Sequence, residues 1–224
     1  MFVVLPPFIK IPIRKFKDWN RKSIPAFFHI DQHIRLTAGM QHRFFEHKHR
    51  VVYSRIENVQ HHSEIEHPAV RAVLGWAKCE RGLEIHHDGD LPARSGLGSS
   101  SSFTVGLVHA LKALKGNYET KEELAKDAIH IEQDIIGENV GSQDQTLAAF
   151  GGFNRIEFKR NGSFDVSPVI LGRERLDELQ SHLMLCFTGL SRIASEVAKS
   201  KIENASGFLL VLKEALVELH AERQ

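Results

Sequence analysis

Asp90-Leu-Pro-Ala-Arg-Ser-Gly-Leu-Gly-Ser-Ser-Ser-Ser-Phe103 decides how the rest of the chain is read. Upstream, Leu83-Glu-Ile-His-His87 is short, half apolar and suited to a strand. Downstream, Phe103, Leu107, Ala110, Leu111 and Leu114 recur at helical spacing, and Gly116 offers a C-terminal stop. The unit is a strand, a tight glycine-rich loop and a helix. Gly96 and Gly98 permit backbone conformations and close approaches that a Cβ would block. Ser99 to Ser102 fall where the helix opens, beside unpaired N–H groups and a partial positive charge. Hydroxyls next to such donors suit phosphate oxygens and a hydrated Mg²⁺. The plainer reading is a serine-capped helix after an ordinary turn, but one serine suffices for a cap, and four are present.

The loop lacks the Gly-Lys-Ser/Thr ending of a Walker A motif. Pro92, Gly96, Leu97, Gly98, Ser99 and Ser100 instead resemble the second motif of the GHMP small-molecule kinases, a proline and a small-residue spacer followed by Gly-Leu-Gly-Ser-Ser. Arg94 stands where small residues are usual in that family.

Working outward, Thr120-Lys-Glu-Glu123 has the form of a capping box, and the helix behind it extends to about Ile136. Its apolar face includes Ala125, Ala128, Ile129, Ile135 and Ile136. Glu132 lies four after Ala128 and three after Ile129, so it points inward with them. An inward carboxylate is costly unless it is paired, hydrogen-bonded or bound to a metal. The alternative is a boundary Glu that reaches back to water. The loop Gly137 to Gln145 carries Asp144 ahead of Gly151-Gly152, and there an N-cap role competes with a chemical one.

A hard oxygen pair, Ser100 and Glu132, suits Mg²⁺, which keeps several waters and takes few protein ligands. A carboxylate near an acceptor hydroxyl can orient it or take its proton, and Asp144 is the candidate. The resemblance implies the same roles. The main chain around Gly96 to Ser101 binds ATP, a Glu on the following helix at Glu132 binds Mg²⁺, and an Asp at Asp144 acts as base. Within the family the likeness is greatest to sugar kinases of the D-glycero-D-manno-heptose 7-phosphate kinase type. It is carried by Phe44 to Lys48, Arg50 to Ser54, His86 to Leu107, His130 to Gln133, Glu138 to Asp144 and Thr188 to Arg192. It implies transfer of the ATP γ-phosphate to the anomeric hydroxyl of a sugar phosphate, with Arg192 meeting the phosphate already on the sugar. A surface arginine is the plainer reading of Arg192.

The family's first motif, with an Arg and a glycine-rich segment, has no counterpart, because residues 1–30 contain no glycine. Nothing after Ser206-Gly207 resembles its third, glycine-rich motif. The expectation is therefore a kinase incomplete at both ends. One alternative is a non-catalytic fragment that keeps an anion pocket; another is a different GHMP sugar kinase, such as a fucokinase-like one. The implied fold is α+β. A ribosomal protein S5 domain 2-like ATP-binding domain would cover residues 1–172, atypical over 1–30, and the start of a ferredoxin-like domain would cover 173–224.

The totals agree with a small-molecule enzyme. The 224 residues can bury a sizeable core. Hydrophobic content of 42% and charged content of 25% are ordinary for a globular chain. A net charge of +1 predicts neither nucleic-acid nor membrane attraction. The expected partners are ATP and a sugar phosphate, with a homo-oligomer left open. Two cysteines, Cys79 and Cys186, build no disulfide framework, and a cytoplasmic setting is expected. The 14 histidines include close pairs but no metal set, and are read as polar surface and strand ends.

Other segments read simply. Gln32 to Ala38 and Arg50 to Ser54 are strand candidates, and a helix starts at His67-Pro68. A hairpin turns at Asn161-Gly162, and a short charged helix covers Leu171 to Leu179. Leu183 to Thr188 is a buried strand candidate, Gly189 to Ser195 opens a helix, and Phe208 to Glu222 carries an apolar stripe.

Overall fold

The computed structural model describes residues 2–5, 8–10, 26–29, 34–40, 46–89 and 97–184. Pro92, Arg94, Gly96 and Arg192 and the last two helices lie outside the described residues, as does the buried strand expected over Leu183 to Thr188 except for its first two residues; Leu183 and Met184 are exposed and in no strand.

One sheet has five strands: β1 (Phe2–Leu5), β4 (Ile34–Met40), β7 (Leu83–Gly89), β5 (His49–Val52) and β6 (Ile56–Val59), in that spatial order. β4 and β7 run antiparallel from Ile34 opposite Gly89 to Met40 opposite Leu83. β5 and β7 are the parallel pair, and α1 (Pro68–Trp76) lies in the connection between them, as parallel pairing requires a crossover. The second sheet orders β2 (Phe8–Lys10), β3 (Ala26–His29), β8 (Asn154–Phe158) and β9 (Phe164–Pro168). β8 and β9 form the expected hairpin, and Gly162 supplies its turn at φ 83°.

α2 (Ser99–Leu114) is the central helix. Phe103, Val105, Leu107, Val108, Ala110 and Leu111 are buried along it. It packs against α1, α3 (Lys121–His130), α4 (Gln143–Phe150) and the β1–β4 side of the first sheet. The core continues through Val70, Val73 and Leu74 of α1, Ile85 of β7, Leu124, Ala125 and Ala128 of α3, and Leu147 of α4. α5 (Arg173–Ser181) follows β9 and buries no residue.

This is a mixed α/β fold with an N-terminal layer of sheet and helices, followed by a sheet and helix region. Several elements are absent from the sequence reading. The short strands β1 to β3 find their partners only through distant chain, and β6 is paired with β5 across a tight turn. Another is a π-helical turn, Ile131–Ile135, at the end of α3. An extra residue there gives the bond from Ile136 N–H to the Ile131 carbonyl, 2.9 Å. Propensity cannot show such a turn, because it is imposed by packing.

Candidate active site

Three elements meet at the N-terminal end of α2. Gly98 is its N-cap, left-handed at φ 76°, and makes no side-chain cap. A Cβ at Gly98 would stand 3.4 Å from Asp144 Cγ, so glycine here permits both the backbone conformation and the close approach of α4. Ser99 opens the helix, Ser100 is exposed, and Ser101 and Ser102 are buried.

Glu132 sits in the π turn and is 1% exposed. The Ser101 hydroxyl donates to its Oε2 at 2.8 Å, and the Gln145 amide donates to the same oxygen. Oε1 is buried and has no hydrogen-bond partner among the described residues. Burial pushes the Glu132 carboxyl up from its ordinary range, against the lowering effect of the nearby Thr104, Ser101 and Gln145 side chains. The inward reading of Glu132 thus holds in the fold. It is Ser101, rather than the Ser100 expected beside it, that bonds the carboxylate.

Asp144 lies in the first turn of α4, whose N-cap is Ser142, so it does not cap that helix. Ser142 in turn accepts from the Gln133 amide at 3.2 Å. Gln145, next in the chain, reaches Glu132 and ties the two carboxylate-bearing segments together. Sequence reasoning missed Gln145. Four consecutive residues, Gln145 to Ala148, are buried, so no amphipathic pattern marks this one as inward.

Aromatic rings back the site. His87, near the end of β7, stacks on Phe103 of α2 with centroids 4.1 Å apart, and His67 lies 5.0 Å from the same ring. Burial, with His67 nearby, holds His87 down at about 4. His49 is 1% exposed and is likewise held at about 4, mainly by burial. His49 opens β5, a strand end as expected of the histidines, and its ring is buried rather than at the surface.

The arrangement offers an uncapped, glycine-led helix start, hydroxyls on its first turn, a buried carboxylate with one open oxygen and a second carboxylate at the glycine. Residues 61–152, which hold all of these, match the family model described as GHMP kinases N terminal domain. Over that stretch the chain carries a GHMP kinase N-terminal domain.

Among its relatives is D-glycero-alpha-D-manno-heptose 7-phosphate kinase of Campylobacter jejuni, 34% identical over 131 residues, covering 58% of this chain and 39% of that one. Galactokinase of Schizosaccharomyces pombe is 32% identical over 111 residues, covering 48% of this chain and 21% of that one. The solved structure of a D-glycero-D-manno-heptose 1-phosphate kinase from Bacteriodes thetaiotaomicron superposes with a TM-score of 0.67 at 23% identity, covering 80% of this chain and 63% of that one. This last likeness is one of fold. This chain spans less than two thirds of each of these relatives. Among its described residues, no helix is long and apolar enough to cross a membrane.

Proposed function

We propose that this chain belongs to an ATP- and Mg²⁺-dependent sugar kinase that phosphorylates the anomeric hydroxyl of D-glycero-D-manno-heptose 7-phosphate. The observation that carries the proposal is the bond between Ser101, on the first turn of the glycine-led helix, and the buried Glu132. It draws the phosphate-binding end of α2 and a hard oxygen ligand together. The 34% identity to a heptose 7-phosphate kinase supports the substrate class.

In this reading Pro92 shapes the nucleotide loop, and the backbone amides of Gly96, Leu97, Gly98, Ser99, Ser100 and Ser101 hold the nucleotide phosphates at the helix start. The orphaned Oε1 of Glu132 fits a cation, and Ser100 is exposed on the same turn, so these two residues would hold Mg²⁺. Bound Mg²⁺ supplies neutralisation of the charge that grows on the transferred phosphoryl group. Asp144 orients the acceptor hydroxyl or takes its proton as that oxygen attacks the γ-phosphorus and ADP departs. Arg192 meets the phosphate already on the sugar. Positioning and electrostatics supply most of the rate in such chemistry, so a buried, pre-aimed carboxylate is a fitting device.

The finer architecture belongs to the same proposal. Residues 1–172 form an S5 domain 2-like ATP-binding domain, residues 173–224 begin a ferredoxin-like domain, and the enzyme works in the cytoplasm. The break at Gly172, which precedes α5, agrees with that division.

A second reading of the substrate has support, because a galactokinase and a bifunctional fucokinase/GDP-fucose pyrophosphorylase match at 32% and 30% identity. Calorimetric titration with Mg-ATP, then ADP release with a panel of heptose 7-phosphate, galactose and fucose, decides among the readings. The proposal expects binding and turnover with the heptose phosphate. Turnover only with an unphosphorylated sugar reassigns the substrate. Binding without any turnover selects a non-catalytic nucleotide-binding chain. In an active protein, Ser100→Ala and Glu132→Gln are each expected to abolish turnover, and near-normal phosphorylation by either refutes its role.

A further inference from the structure

Glu132 is held asymmetrically. A carboxylate offers about four lone-pair positions over two oxygens, and donors usually spread across both. Here the Ser101 hydroxyl, at 2.8 Å, and the Gln145 amide both donate to Oε2. Oε1, equally buried, receives none from the described residues. Two donors from different helices on one oxygen fix the rotation of the carboxyl plane and leave the lone pairs of the other oxygen open.

Gln145 is fully buried. Its own carbonyl oxygen is also without a partner, so the amide satisfies Glu132 while leaving its own acceptor unpaired. That is a poor bargain for stability alone, because an unsatisfied buried acceptor carries a desolvation cost. It makes sense where the orientation of Glu132 matters. Gln145 also follows Asp144 directly, so movement of this amide is felt at both carboxylates.

We infer that Gln145 is a positioning residue: with Ser101 it clamps one oxygen of Glu132 so that the other faces the cation accompanying the nucleotide. This rests on the kinase reading of the same site. Groups that orient a ligand without touching the metal commonly change metal affinity 10- to 100-fold when removed.

The test compares nucleotide affinity with and without Mg²⁺ by calorimetry, in the full chain and in Gln145→Met, Gln145→Asn and Glu132→Gln. Methionine keeps the volume without a donor, and asparagine keeps the amide one methylene short. Near-UV dichroism and melting temperature report the fold of each. The expected result is about a tenfold loss of the Mg²⁺-dependent gain in affinity for ATP in a folded Gln145 variant, with metal-free ATP bound as by the parent. Either variant that folds can carry the result. If neither folds, the amide is a structural necessity, and the positioning role is overturned. It is equally overturned if a folded variant keeps the full Mg²⁺-dependent gain while Glu132→Gln loses it, or if affinity falls alike with and without metal. If the parent shows no Mg²⁺-dependent gain, or Glu132→Gln retains it, the metal-binding reading of the site fails first and the inference goes with it.

Discussion

α2 and α3 begin in opposite ways. At α3, Thr120 accepts from the Glu123 N–H at 3.2 Å while the Glu123 carboxylate accepts from the Thr120 N–H at 2.9 Å, a closed capping box. At α2 the N-cap is a left-handed glycine with no side chain to offer, although four serines follow. One hydroxyl of those serines is spent on Glu132 instead of on the backbone. A helix whose only task is to pack finishes its own first turn. A helix start without a side-chain cap, whose hydroxyl goes to a buried carboxylate, forgoes about 1 kcal/mol of capping; in the proposed kinase reading it gains a place to hold an anion and a cation together. α1 is intermediate, because its cap is the ring of His67, which accepts from the Val70 N–H at 3.4 Å.

The largest expected effect tests the function of the open start. Glu132→Gln should lower Mg²⁺-dependent nucleotide turnover by at least about 100-fold, read as ADP release. The same change should raise the melting temperature near neutral pH. The folded Glu132 carboxyl is raised above its unfolded value, so the folded chain holds that proton more tightly and loses stability as pH rises through the folded pKa. A neutral amide removes that loss, and a lower melting temperature at neutral pH would contradict it.

Gly98→Ala comes next. It places a Cβ in a left-handed position at a strain of about 1–2 kcal/mol, 3.4 Å from Asp144 Cγ. Mg-ATP affinity measured by calorimetry should fall about tenfold, the equivalent of ~1.4 kcal/mol. Unchanged affinity and melting would mean that the glycine is not needed for the conformation of the loop.

The pH response sharpens the comparison at α1. The folded pKa values of His49 and His87 are held at about 4, and that of His67 is also lowered by burial, all against an ordinary 6.5. Between those limits the unfolded chain binds more protons, so stability is full above pH 6.5 and declines as pH falls toward 4. Melting curves across that range should show the slope. His67→Asn, which caps without titrating, should flatten it, and an unaltered slope would remove His67 from the cause.

Thr120→Ala is the smallest and the most selective change. It should cost about 1 kcal/mol of stability by chemical denaturation and leave Mg-ATP binding as in the parent. A loss of binding here would mean that closed and open helix starts are not independent.

How far the sequence could be read follows the same division. The box at Thr120 was legible because its partners are three residues apart. The start of α2 was legible because glycines and serines declare a turn and a helix N-terminus within a few positions. The inward direction of Glu132 followed from its spacing to Ala128 and Ile129. Which serine would meet it did not. Ser100 and Ser101 differ by about 100° around the helix, and only the approach of the π turn selects Ser101. Gln145 gave no signal, because a glutamine amid a fully buried run looks like any other polar residue. The N-terminal strands were illegible for a related reason: β2 and β3 are three and four residues long, and their sheet is completed by β8, more than a hundred residues away.

The amino-acid order alone therefore determined the local motifs, since caps, glycine turns and helical faces depend on neighbours within one or two turns. Tertiary packing decided which hydroxyl and which amide meet the Glu132 carboxylate, and which of its oxygens stays open. Those contacts join residues 13 and 31 positions apart, and their geometry exists only when three helix ends are brought together.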